Sequence, residues 1–274
     1  MLKTIDIDEL FDKYISDYVY SNVGKVKPEE IENKIPQLYV EFGDQKLKEL
    51  DGKTPNTYYS DYSGEELIEC LKKHLIEGVS VSDFLCEAIT GNAKNETALI
   101  NALKEENSEE FTLYCMNMLS DMGSTAVASR YLEFITWDYS EGIRELATEN
   151  LCTMAESIKE KVLELYKEVD ETKKACFTEI LSCIKGDDRV FDILIAEFVK
   201  HTENLPLYSN YLAKYGDERA LPFLKLAIEN EKISYADFEE LRFAIEALGG
   251  SYDKKRDFTA DKTYKKIKGL GKKR

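Results

Sequence analysis

Histidine is nearly absent from this 274-residue chain, which carries two, and tryptophan occurs once. With His74 and His201 as the only imidazoles, and neither next to a nucleophile motif, no Ser-His-Asp set can be assembled and no catalytic residue is assigned. Proline is scarce at five residues and glycine stands at fourteen, a composition that suits a folded, largely helical protein rather than a disordered one. No run of about eighteen apolar residues occurs, so no membrane-spanning helix is expected. The opening Met1-Leu2-Lys3-Thr4-Ile5-Asp6 has acids where a secretion leader needs an apolar stretch, which leads to an expectation of a cytoplasmic protein. Six cysteines, at positions 70, 86, 115, 152, 176 and 183, show no C-x-x-C spacing. They are expected to be reduced, buried thiols acting as small hydrophobes, and no metal or other cofactor is expected. Gly52-Lys53-Thr54 has the end of a phosphate-binding loop, but Leu47 stands where that loop needs its first glycine, which excludes nucleotide binding there.

What the chain does have is a recurring turn. Gly186-Asp187-Asp188-Arg189-Val190 and Gly216-Asp217-Glu218-Arg219-Ala220 repeat one chemistry thirty residues apart. Small residues after an apolar helix end fall at Gly123, Ala155, Gly186, Gly216 and Gly249, in steps of 32, 31, 30 and 33. Glycine supplies the left-handed conformation that closes a helix, and the Ser124, Asp187 or Asp217 that follows can cap the next one. Between these turns, apolar periodicity predicts helices over 81–90, 96–105, 109–121, 125–136, 141–154, 157–169, 172–184, 188–200, 206–214, 219–229 and 235–248. No strand is expected. Ile158, Val162, Leu165 and Val169, for example, share one face of a helix and cannot share one face of a strand.

Residues 80–250 therefore resemble an array of HEAT-like repeats of the short, roughly thirty-residue kind. The resemblance implies an all-α chain folded as a right-handed α-solenoid of stacked antiparallel helix pairs, an armadillo-like architecture. Residues 1–79 would then be an N-terminal helical cap, 80–250 the repeats, and 251–274 a flexible basic tail. It also implies a ladder between repeats built from Asp187, Arg189, Asp217 and Arg219. Such arrays usually bind other molecules rather than transform them, and the family name carries no particular activity.

Charge and aromatic placement indicate the kind of partner. The formal charge is −16, yet residues 251–274 hold ten Lys or Arg against three Asp, so this segment carries +7 and the remainder −23. An acidic body favours a basic protein or peptide. Glu141, Glu145 and Glu149 lie at four-residue spacing, as do Glu156, Glu160, Glu164 and Glu168 in the next helix. Like charges at that spacing repel by a few tenths of a kcal/mol each. The second stripe projects away from the apolar face, and it is taken as the partner-binding set together with Tyr208, Tyr211 and Tyr215, which share one side of a helix. Core packing of these tyrosines is the competing explanation. The expected function is a non-catalytic scaffold with a concave acidic, tyrosine-bearing surface, for which its own tail competes. One alternative is contact with RNA or DNA through the tail. A more remote one is a HEAT-fold DNA-repair glycosylase, which would need a basic concave face where this array is acidic.

Overall fold

The computed structural model describes residues 3–23, 28–105 and 107–270, and all regular structure within them is helical. In chain order the helices are α1 (Ile7–Asn22), α2 (Pro28–Glu32), α3 (Ile35–Gly43), α4 (Pro55–Tyr58), α5 (Gly64–Glu77), α6 (Asp83–Thr90), α7 (Glu96–Ala102), α8 (Glu109–Asp121), α9 (Ala128–Thr136), α10 (Glu141–Thr153), α11 (Ala155–Glu168), α12 (Glu171–Ser182), α13 (Asp188–Lys200), α14 (Leu205–Tyr215), α15 (Leu221–Ile228), α16 (Tyr235–Ala247) and α17 (Lys262–Leu270). From residue 81 to 248 they follow the sequence-predicted succession to within a few residues at each end, because the apolar period and the Ser or Asp caps locate them independently.

Two compact units emerge, Met1–Arg130 and Tyr131–Arg274. In the first, no break separates a cap from repeats at residue 80. Helix α5 packs on α6, α7 and α8 alike. Ser63 and Glu66 close a reciprocal capping box at the start of α5, as the S-x-x-E spacing dictates. The aromatic richness of the N-terminal region is spent on an internal cluster: Phe11 meets Tyr39 at 4.9 Å and Phe42 at 5.2 Å, and Tyr39 stacks on Phe84 at 5.1 Å. These contacts join α1, α3 and α6. His74, also buried, faces the Cys70 carbonyl through Nδ1 at 2.8 Å and the Ile5 carbonyl through Nε2 at 3.1 Å, which ties the first residues to α5.

In the second unit α10 packs on α12, α12 on α14, and α14 on α16, while α11 and α13 each lie against α12, and α15 against α16. Phe177, Ile180 and Leu181 of α12, Leu194 of α13, Leu212 of α14 and Leu241 of α16 are fully or almost fully buried. Gly123, Gly186, Gly216 and Gly249 have φ of 65°, 67°, 83° and 78°, the left-handed conformation a helix-closing glycine provides. Ala155 differs. It opens α11 directly after Met154, the one residue between α10 and α11, and the Ser157 hydroxyl donates to the Met154 carbonyl at 2.7 Å.

The basic C-terminal segment lies against this unit. Phe258 is buried against Phe238 and Tyr235, with ring centroids 5.0 and 5.3 Å apart. Arg256 donates to the carbonyls of Ile228 (2.7 Å) and Asn230 (2.8 Å), and Lys254 pairs with Glu229 at 2.6 Å. Tyr264 of α17 meets Tyr235 edge-on at 5.0 Å. Two aromatics within the lysine run thus anchor a segment that its charge alone marks as flexible. Lys272, Lys273 and Arg274 lie outside the described residues.

Candidate acidic interaction surface

The recurring turn builds a charge ladder along the second unit. Asp187 caps α13 by accepting the Arg189 backbone N–H at 3.0 Å, and the Arg189 guanidinium folds back on the same carboxylate at 2.6 Å. It then reaches Glu160 of α11 with two hydrogen bonds, 2.9 and 2.7 Å. One rung further, Arg219 holds Asp217 at 2.6 Å and Asp188 of α13 at 2.8 Å, with its guanidinium 4.3 Å from the Phe191 ring centre. Each arginine therefore joins its own turn to an acid about thirty residues earlier.

These partners hold the carboxylates below their ordinary range: Arg189 acts on Asp187 and Glu160, and Arg219 on Asp217. A carboxylate depressed on folding stabilises the fold above its unfolded pKa and loses that contribution as pH falls through its folded value. The urea midpoint of the second unit should therefore decline from pH 6 to pH 3. Arg189→Gln should show a shallower decline, because two of the depressed groups lose their main partner. An unchanged pH slope in that variant would contradict the ladder's role.

The ladder also uses much of the acidic stripe assigned to partner binding. Glu160 is a rung, Glu156 accepts the Lys185 backbone N–H at 2.7 Å, and Glu164 pairs with Lys161 at 2.9 Å. Of the four, only Glu168 is exposed without a hydrogen bond or ion pair among the described residues. The neighbouring stripe differs. Glu141, Glu145 and Glu149 of α10 are all exposed, and none of their side chains has a hydrogen bond or ion pair among the described residues. Lysines interleave the α11 stripe at 159, 161 and 167, whereas the α10 stripe has only Arg144 within its span. That difference is legible in the sequence and indicates which row keeps its charge.

The tyrosines require a correction. Tyr208, Tyr211 and Tyr215 are 6%, 6% and 3% exposed, so they belong to the core rather than to a surface. The Tyr215 hydroxyl accepts the Asp187 N–H at 3.0 Å and donates to the Asp187 carbonyl at 2.9 Å, locking the turn. The Tyr211 hydroxyl points at Glu179, 3.5 Å away. Spacing on one helix side identified a shared face but not its direction.

Tyr208 instead stacks on His201, with ring centroids 4.7 Å apart and planes 6° from parallel. His201 faces buried Glu197 through Nε2 at 3.1 Å and Glu203 through Nδ1 at 2.8 Å, and Glu197 also accepts the Tyr166 hydroxyl at 2.7 Å. Ligand-type atoms of Glu171, Glu197 and His201 lie within 4.8 Å of one another. Glu171, however, is held by Lys174 at 2.7 Å and by Lys200, and Lys174 foremost brings its carboxyl down to about 2. Those two ammonium groups neutralise the exposed acid and oppose a further cation, so the cluster acts as a polar clamp joining α11, α12, α13 and α14. The i, i+4 spacing places His201 beside Glu197, but nothing in the sequence spacing brings Tyr166 or Glu171 to them.

No known protein family, curated protein or solved structure matches the chain.

Proposed function

We propose that this chain is a non-catalytic interaction scaffold that binds a basic protein or peptide along the carboxylate stripe of α10. The observation that carries the reading is that, among the described residues, exposed Glu141, Glu145 and Glu149 have no cationic partner, beside an α11 stripe largely committed to internal contacts. Side chains on one straight helix offer a rigid row of like charge, and a cationic partner relieves the repulsion within it. The α10–α12–α14–α16 packing succession and the arginine ladder support a HEAT-like stacked array for residues 131–250, the kind of scaffold that presents such rows. A fluorescent lysine-rich peptide titrated into the full chain tests the reading. Binding should be strong at low salt, weaken steeply as salt rises, and be absent for a glutamate-rich peptide of the same length. Equal affinity for both peptides would reject it.

A second reading rests on α17. Lys262, Lys265, Lys266 and Lys268 are exposed, and none makes an ion pair among the described residues. Contact with RNA or DNA through this helix is therefore the alternative, and replacing the four lysines with glutamine would abolish such binding while leaving the peptide titration unchanged.

A further inference from the structure

A cavity of about 380 Å³ lies in the first unit, between the turn after α4, the start of α5 and the end of α6. The local sequence fixes its aromatic wall. Pro55 opens α4 behind Thr54, and the capping box of Ser63 and Glu66 opens α5, so the short connection between them is held at both ends. Within it the Tyr62 N–H donates to the Tyr59 carbonyl at 3.1 Å, and the two rings stand at 87° with centroids 5.7 Å apart. Tyr58 meets Tyr59 edge-on at 4.9 Å and supports that ring. Phe84 of α6 adds a third ring to the lining, and Tyr39 stacks on it at 5.1 Å.

Asn56, Ser60 and Asn92 also line the cavity but already bond within the fold. Asn56 Nδ2 donates to Asp44 at 3.0 Å, the Ser60 hydroxyl donates to the Thr57 carbonyl at 2.8 Å, and Asn92 Oδ1 accepts the Lys94 N–H at 3.1 Å. Glu87 differs. One turn of α6 beyond Phe84, its side chain is exposed and makes no hydrogen bond or ion pair among the described residues. It is the one formal charge in the lining, which contains no Lys, Arg or His.

We propose that this cavity binds a quaternary ammonium group, carried either by a choline-like small molecule or by a trimethylated lysine side chain. Aromatic rings attract a cation through their quadrupole, and the Glu87 carboxylate balances its charge. A primary ammonium would bring three N–H donors to a wall with one unpartnered carboxylate, and the donors left over would lose their water without replacement. A quaternary ammonium has no N–H to satisfy, and its methyl groups pack on the rings. An anion would meet the Glu87 charge with no cation in the lining to offset it. The volume falls in the range of about 300–1,000 Å³ usual for small-molecule sites.

The test is calorimetric titration of the full chain with choline chloride at constant ionic strength, where binding should saturate with a Kd of about 1 mM or lower. The neutral isostere 3,3-dimethylbutan-1-ol and the primary amine ethanolamine should each bind about tenfold or more weakly. Tyr62→Leu should weaken choline about tenfold, and Tyr62→Phe, which keeps the ring, should stay within about twofold. Glu87→Gln should weaken it about fivefold, and because Glu87 is exposed this variant reads the site even where loss of a ring disturbs folding. A trimethyllysine peptide that displaces choline at lower concentration than choline itself would identify a side chain as the ligand, and a weaker peptide would identify a free small molecule. Equal binding of choline and its neutral isostere, no saturation below about 10 mM, or unchanged choline affinity in Glu87→Gln would overturn the site.

Discussion

Replacing Phe177 with alanine should lower the unfolding free energy of the second unit by about 3–5 kcal/mol, the range for deleting a wholly enclosed aromatic ring. Phe177 is 0% exposed on α12, the helix packed by α10, α11, α13 and α14 together. With neighbours on so many sides, the site cannot collapse to fill the cavity, which places the loss toward the upper end. Phe177→Leu retains much of the volume and should cost about 1.5 kcal/mol or less. Val199→Ala, at an exposed position of α13, should stay within about 0.5 kcal/mol. Urea denaturation followed by circular dichroism measures all three. A loss below about 1 kcal/mol for Phe177→Ala would mean that α12 is not the centre of the unit.

The second large effect concerns binding. Reversing Glu141, Glu145 and Glu149 to lysine should weaken a lysine-rich peptide by about a hundredfold at low salt, if each exposed charge contributes about 0.5 kcal/mol and its reversal roughly doubles that. Neutralising the same three to glutamine should weaken binding less and also stabilise the fold by a few tenths of a kcal/mol per relieved pair. Opposite signs for stability and binding distinguish a row kept for a partner from one that supports the fold. As control, Glu160→Gln should act the other way, costing stability through the lost Arg189 contact and changing peptide binding little.

The helices were legible because their signals are local: the 3.6-residue period, the Ser and Asp caps, and the glycines whose positive φ the backbone requires. The arginine ladder was legible in outline, since one turn repeats its residues at Asp187, Arg189, Asp217 and Arg219. Its acceptors Glu160 and Asp188 were not, because they lie about thirty residues away and only stacking brings them within reach. The same long-range step hid the contacts of Glu197 with Tyr166 and of Glu171 with Lys200, and it left unread that Cys86, Cys152, Cys176 and Cys183 stay partly exposed where buried thiols were expected. The outward placement of Tyr208, Tyr211 and Tyr215 failed for a different reason. A stripe of amphipathic rings satisfies a buried face with its hydroxyls on Asp187 and Glu179 as well as it would an exposed one. For the C-terminal segment, net charge outweighed Tyr252, Phe258 and Tyr264 in the sequence, whereas in the fold those aromatics decide its position.

Where a bound cation sits is the central question, and carbodiimide coupling answers it, because it joins a carboxylate to a lysine amine in direct contact without a spacer. With the lysine-rich peptide bound to the full chain at low salt, isopeptide links mapped by mass spectrometry should concentrate on Glu141, Glu145 and Glu149 and disappear at high salt. Links spread over exposed acids of both units, or gathered elsewhere with α10 untouched, would contradict the account.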